Sequence, residues 1–187
     1  MRIVRISLAS IVLIMLGYAQ EQTGKGAGSR IYILEDEQHH QWCGYRIKAD
    51  FDQGVASVLA RRVGGADYVD GRVSAVYLVT STETGDWEIY DRYTLDGSER
   101  LQGLQRTISV IPENTREEQV ITIKDGKVVN TQSTYRDLDT GKITSKFSSW
   151  LKPPPLFTTV KSFPFVDLIE SGRRGTWGND RMCVAGH

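Results

Sequence analysis

Between residues 71 and 151, apolar and polar side chains alternate with a period of two, and this pattern constrains the fold more than any other feature. The stretch is rich in Val, Ile, Thr and Tyr, and short turn sequences such as Asp96-Gly97 and Asp125-Gly126 interrupt it at regular intervals. Turns this short join neighbouring antiparallel strands. The pattern predicts a six-stranded antiparallel up-and-down meander, with strands at residues 72–81, 87–95, 99–111, 116–124, 127–138 and 142–151.

A meander of this kind must cover its apolar face. Because long strands twist strongly, we expect the sheet to be curled or barrel-like. The pattern of residues 50–63 predicts one N-terminal helix that packs on the sheet. Asp50 or Asp52 would cap this helix, and Gly64-Gly65 would end it. A strand over the same residues is the alternative. The apolar residues 156–169 are expected to pack back onto the sheet. The fold class is therefore mainly β, of the α+β type.

The N-terminus has the pattern of a secretory signal peptide over residues 1–19. Arg2 and Arg5 precede an apolar run of 11 residues, and small residues occupy positions 17 and 19. A run of that length is too short to cross a bilayer, which takes about 20 residues. We therefore expect an exported protein, periplasmic or extracellular, that is not an integral membrane protein. Residues 20–29 are predicted to be a flexible linker, and residues 30–187 a single β-rich domain.

The chain has two cysteines, Cys43 and Cys183. In an oxidising compartment, such a pair most simply forms one disulfide. The bridge would close a loop of roughly 140 residues and stabilise the fold by about 4–5 kcal/mol in the chain-entropy model. Two separate thiols are the alternative.

The charge balance argues against nucleic-acid binding. The chain has 23 basic and 23 acidic residues, so its formal net charge is zero. A near-neutral protein lacks the long-range field that draws proteins to phosphate backbones. We therefore expect no nucleic-acid partner.

Catalytic and metal-binding motifs are scarce in this sequence. The three histidines are His39, His40 and His187, and none of them lies in the meander. A zinc site at His39, His40 and Cys43 would lose its sulfur ligand to the predicted disulfide. There is no Gly-x-Ser-x-Gly motif, and the acidic run at residues 35–37 is typical of a solvated loop. We predict no metal, no cofactor and no catalytic residues.

A two-residue turn at Asp96-Gly97 predicts which residues of the flanking strands face each other. It sets Trp87 opposite Arg106, and Asp91 opposite Gln102. These four residues share one face with the predicted core residues Ile89, Leu104 and Ile108, because opposed residues lie on the same side of a sheet.

Polar residues on an apolar face have two interpretations. In the functional one, Trp87, Asp91, Gln102 and Arg106 belong to a ligand cavity with an aromatic wall and a few polar anchors. In the other, the sheet is half-exposed, and Trp87 with Arg106 forms a surface cation–π contact worth about 0.5–1 kcal/mol.

Three classes of function are compatible with these patterns. The first is a non-enzymatic exported protein that binds a small apolar ligand or a protein partner. The second is a hydrolase or isomerase that uses a carboxylate such as Asp91 in a sheet cavity. The third is a structural, envelope-associated protein that pairs through an exposed edge strand.

Overall fold

In a computed structural model, the chain forms one antiparallel nine-stranded sheet. The structure describes residues 29–58, 60–145, 156–174, 177 and 180–186, so the predicted signal peptide and nearly all of the predicted linker lie outside the described residues. The strand order is β8-β7-β6-β5-β4-β3-β1-β2-β9. The strands are β1 (Ser29–Asp36), β2 (Gln41–Tyr45), β3 (Arg62–Val69), β4 (Arg72–Ser81), β5 (Trp87–Leu95), β6 (Leu101–Val110), β7 (Thr115–Lys124), β8 (Lys127–Asp137) and β9 (Arg181–Ala185).

The predicted meander is confirmed from β4 to β8, but its two ends differ from the prediction. β4 and β5 have the predicted bounds residue for residue. The predicted sixth strand at 142–151 is wrong in its described part, where only Ile143 forms an isolated bridge, to Arg136. β3 instead precedes β4, so six consecutive strands still run up and down from β3 to β8.

The sheet is not closed, and the barrel-like alternative is therefore wrong. β8 and β9 are its two edges. The hairpin of β1 and β2 extends the sheet beyond β3, and other parts of the chain cover both faces. Because both apolar faces are covered without closure, nothing requires the two edges to meet.

The N-terminal helix is shorter than predicted. Helix α1 runs from Lys48 to Ser57, so its N-cap residue is Ile47 and not Asp50 or Asp52. Of the predicted helix, the last two residues, Arg62 and Val63, belong to β3. Gly64-Gly65 does not end a helix but lies inside the sheet, where a Cβ at Gly64 would lie 2.6 Å from the carbonyl oxygen of Tyr77. These glycines therefore allow close backbone packing.

Helix α1 covers one face of the sheet. Its Phe51 and Val55 are buried in a cluster with residues from β1 to β4. The sheet contributes Leu34, Cys43, Tyr45, Val63 and Val79 to this cluster.

The C-terminal segment covers the opposite face, which confirms that residues 156–169 pack back onto the sheet. It contains a short 3-10 helix (Val160–Ser162) and helix α2 (Val166–Arg174). Phe163 packs edge-on against Tyr93, with ring centroids 5.0 Å apart, and the Tyr93 hydroxyl accepts a hydrogen bond from the Phe157 N–H at 3.2 Å. The main hydrophobic core lies between this segment and strands β1 to β7.

The predicted disulfide between Cys43 and Cys183 is present and joins the last two strands of the sheet. The two residues are direct partners in the β2–β9 register, and their Cα atoms are 4.0 Å apart. β9 is thereby linked covalently to a strand 140 residues earlier in the chain.

Candidate functional site

The β5–β6 turn decides where the predicted site residues lie. Its central feature is Asp96, whose Oδ1 accepts hydrogen bonds from the backbone N–H of Ser98 at 2.8 Å and of Arg100 at 3.0 Å. The backbone N–H of Arg100 is the largest influence holding the pKa of Asp96 below its ordinary value. Glu99 adopts a left-handed conformation with φ of 57°. The connection is therefore longer than the predicted two-residue turn, because the Asp96 side chain organises the residues that follow it.

The longer turn shifts the strand register but preserves the faces. Asp91 pairs with Arg106 and Trp87 with Val110, four positions further along β6 than predicted. The predicted pairs of Asp91 with Gln102 and Trp87 with Arg106 are wrong. Because the shift is an even number of residues, the paired residues 87–94 and 103–110 keep their predicted sides of the sheet. Leu101 does not, because it lies beyond the irregularity at Thr94 and Leu95, where it pairs with Leu95 and is buried in the core. Ile89, Leu104 and Ile108 are buried as predicted, and Trp87 is half-buried.

Asp91 and Arg106 form a buried ion pair in the middle of the sheet. Arg106 donates from Nε to Asp91 Oδ1 and from Nη2 to Oδ2, both at 2.6 Å. The side chains are only 3% and 4% exposed, respectively. Burial raises the pKa of Asp91, and the hydrogen bonds and charge of Arg106 oppose that rise. This carboxylate is held by a guanidinium and shielded from solvent, which does not suit a general base.

The four predicted site residues do not converge on one point. From the Asp91–Arg106 pair, Trp87 lies four residues toward one end of the sheet and Gln102 four residues toward the other. At about 3.3 Å per residue, each is about 13 Å from the pair. The structure thus brings Asp91 and Arg106 together and separates Trp87 and Gln102 from them.

Gln102 lines a cleft at one end of the sheet. The register shift near Thr94 and Leu95 leaves Gln102 without an opposing residue on β5. Gln102 is exposed, and its Nε2 donates a hydrogen bond to the Leu95 carbonyl oxygen at 3.4 Å. The cleft has a volume of about 780 Å³. Its walls are the start of β4, the β5–β6 turn, the β7–β8 turn, residues 158–161 and the N-terminal half of α2. Pockets for small molecules typically have volumes of about 300–1,000 Å³.

Apolar side chains from both the sheet and the C-terminal segment line the cleft. Those from the sheet are largely buried, whereas those from the C-terminal segment are half-buried. The apolar lining consists of Val73, Leu95, Leu101, Ile123, Val160 and Val166.

Charged groups stand around this apolar lining. Glu99 accepts hydrogen bonds from the Val73 N–H at 2.8 Å and from Arg173 Nη1 at 2.9 Å. Arg173 also contacts Glu170, and Arg100 contacts Asp96 at 3.2 Å. The Glu99–Arg173 pair connects the β5–β6 turn to the end of α2, whereas the other two pairs lie within α2 and within the turn.

The sequence identified only Gln102 among the residues that line this cleft. Residues 158–161 and Val166 reach it because the C-terminal segment folds across the sheet, which no local pattern specifies. The aromatic residues at 157, 163 and 165 indicated that the segment packs on the sheet, but not at which end.

The acidic run at residues 35–37 lies beside a second, smaller pocket of about 240 Å³. Asp36 is buried there, and its Oδ2 is 2.7 Å from His39 Nδ1. Burial raises the pKa of Asp36, but hydrogen bonds from His39 and Gln41 outweigh it and hold that pKa below its ordinary value. Glu35 pairs with Arg62. These carboxylates are engaged in local contacts, which does not suit a pair of catalytic acids.

Within the described ranges, no group of three or more His, Cys, Asp or Glu residues is arranged to hold a metal ion. Neither α1 nor α2, the two α-helices in the part that the structure describes, has the length and apolar content of a transmembrane span.

Comparison with protein-family models, with curated proteins and with solved structures found no match to this chain.

Proposed function

We propose that this chain is an exported, non-enzymatic binding protein that holds a small amphipathic ligand in the cleft beside Gln102. The observation that carries the proposal is the cleft itself, with its apolar lining, its charged rim and its volume of about 780 Å³. A site of this size that combines an apolar lining with polar groups is typical of small-molecule binding.

Export is supported by two independent features. The N-terminal sequence has the pattern of a signal peptide, and the Cys43–Cys183 disulfide is of a kind that persists in oxidising compartments. We therefore assign the protein to the periplasm or the extracellular space.

The enzymatic alternative has less support. Its candidate base, Asp91, lies about 13 Å along the strands from Gln102 and is held by Arg106. The cleft carboxylates Asp96 and Glu99 are hydrogen-bonded to backbone N–H groups and to arginines. The backbone N–H donors hold the pKa of Asp96 below its ordinary value, which weakens that carboxylate as a base.

A neutral apolar fluorophore, N-phenyl-1-naphthylamine, tests the proposal. We expect its fluorescence to rise on binding to the wild-type protein, and Val166→Asp to weaken the binding at least about tenfold, because the substitution places a charge in the apolar lining. Val166 is half-buried at the first position of α2, where an acidic residue is well tolerated.

The matched control is Val120→Asp, the same change at an exposed valine of β7 outside the cleft. We expect it to leave binding unchanged. No binding by the wild-type protein, or equal losses in the two variants, would contradict the proposal.

A further inference from the structure

Two lysines stand on adjacent walls of the cleft. Lys124 is the last residue of β7, and Lys161 lies in the 3-10 helix. Their walls approach each other at Gly126 and Thr159, since a Cβ built on Gly126 would lie 4.0 Å from Thr159 Cγ2. Both lysine side chains are exposed, and both line the cleft. Two residues with ammonium side chains therefore line the same cleft.

The carboxylates of the cleft do not neutralise these lysines. Asp96 contacts Arg100, while Glu99 and Glu170 contact Arg173. In the described part of the chain, neither lysine Nζ has a carboxylate oxygen within 4.0 Å, the distance limit for an ion pair. Asp125 is the remaining carboxylate of the lining, and in the described part of the chain neither lysine forms an ion pair with it.

We infer that the ligand of the cleft is an amphipathic anion, with its apolar chain on the cleft lining and its carboxylate, sulfate or sulfonate between Lys124 and Lys161. This inference rests on the proposed function and adds the chemistry of the ligand's head group. A cationic head group at the same place would be repelled by both lysines, and a neutral one would gain no charge interaction.

Three amphiphiles with the same ten-carbon chain test the head group. Decanoate, decanol and decyltrimethylammonium are each titrated, below micelle-forming concentrations, against the wild-type protein loaded with N-phenyl-1-naphthylamine. Two exposed charge contacts, each worth roughly a factor of two to five, predict that decanoate displaces the fluorophore about fourfold to twenty-five-fold more effectively than decanol. Decyltrimethylammonium should be the weakest of the three.

Charge-removing variants locate the effect in the cleft. We expect the double variant Lys124→Gln/Lys161→Gln to lose about tenfold in decanoate affinity while its affinity for the neutral fluorophore is unchanged. Retained fluorophore binding shows that the variant is folded. The matched control is Lys142→Gln, which removes an equally exposed charge outside the cleft and should have no effect.

The outcomes separate this inference from the proposed function. If decanoate and decanol compete equally, or if the double variant binds decanoate like the wild type, the anionic head group is refuted and the apolar cleft stands. If the fluorophore does not bind the wild-type protein, both proposals fail. Stronger competition by decanoate that depends on both lysines supports the inference.

Discussion

Replacing Asp91 with asparagine tests the buried ion pair at the centre of the sheet. The substitution keeps the size of the side chain but removes the negative charge that Arg106 contacts through two hydrogen bonds of 2.6 Å. Arg106 would then keep its charge in a site where its side chain is only 4% exposed. We expect Asp91→Asn to lower the free energy of unfolding by about 3–5 kcal/mol.

Coulomb attraction and the cost of leaving a buried charge unpaired both give a loss of this size for Asp91→Asn. Opposite charges about 4 Å apart attract by about 4 kcal/mol at an effective dielectric constant of about 20. Breaking a buried pair by removing one partner costs about 3–5 kcal/mol, because the other charge stays buried. An exposed pair on the same sheet is the matched control. Glu118 contacts both Arg136 and Arg116 at 2.9 Å, and its side chain is 36% exposed, so Glu118→Gln should cost at most about 1–2 kcal/mol.

Urea denaturation, followed by tryptophan fluorescence and circular dichroism, measures these free energies. The double variant Asp91→Leu/Arg106→Met removes both charges together and should be within about 1 kcal/mol of wild type or more stable. If Asp91→Asn costs less than about 1 kcal/mol, or if the double variant is as unstable as the single one, the buried ion pair is refuted.

Three further predictions concern stability. Leu104→Ala should lower the free energy of unfolding by about 2–5 kcal/mol, because it leaves a cavity at a buried site. Glu88→Ala, on the opposite face, should lower it by less than about 0.5 kcal/mol. Equal losses in chemical denaturation would contradict the assignment of the two faces. Gly44→Ala should lower the free energy of unfolding by about 1–3 kcal/mol, because the new Cβ would collide with the buried indole ring of Trp177. Gly97→Ala has open space around its Cβ, so its free energy of unfolding and melting temperature should change little. Backbone N–H donors hold the pKa of Asp96 below its ordinary value of 3.8. The Asp96 carboxylate therefore stabilises the fold above that pH, and this stabilisation is lost as the pH falls. The difference in unfolding free energy between wild type and Asp96→Asn should shrink from pH 6 to pH 3, and a constant difference would refute this prediction.

Local patterns predicted most of the strands and their faces, because apolar and polar residues alternate along a strand in step with its buried and exposed sides. The bounds of β4 and β5 and the inward side of Ile89 and Leu104 follow from the positions of apolar residues alone. The register did not follow, because it depends on the turn. The Asp96 side chain binds two later N–H groups and lengthens the connection, so Asp91 meets Arg106 instead of Gln102.

Tertiary packing overrode the local pattern in two other places. Gly64-Gly65 resembles the end of a helix, but in the sheet it meets neighbouring backbone and Tyr77 too closely for any larger residue. The cleft depends on where residues 158–161 and α2 cross the sheet, which is a long-range contact. Of the four residues predicted for a ligand cavity, Gln102 lines this cleft, but the predicted register placed it opposite Asp91.

An NMR titration of the ¹⁵N-labelled protein with decanoate tests the central claim, that the cleft beside Gln102 binds a small amphiphile. We predict that the amide shifts that change most belong to residues 101–102, 123–126 and 158–161, and that the changes saturate with a single binding constant. Amides around Trp87 and in β9, at other places in the sheet, should remain unchanged. The absence of saturable shifts, or shifts centred away from those three segments, would contradict the account.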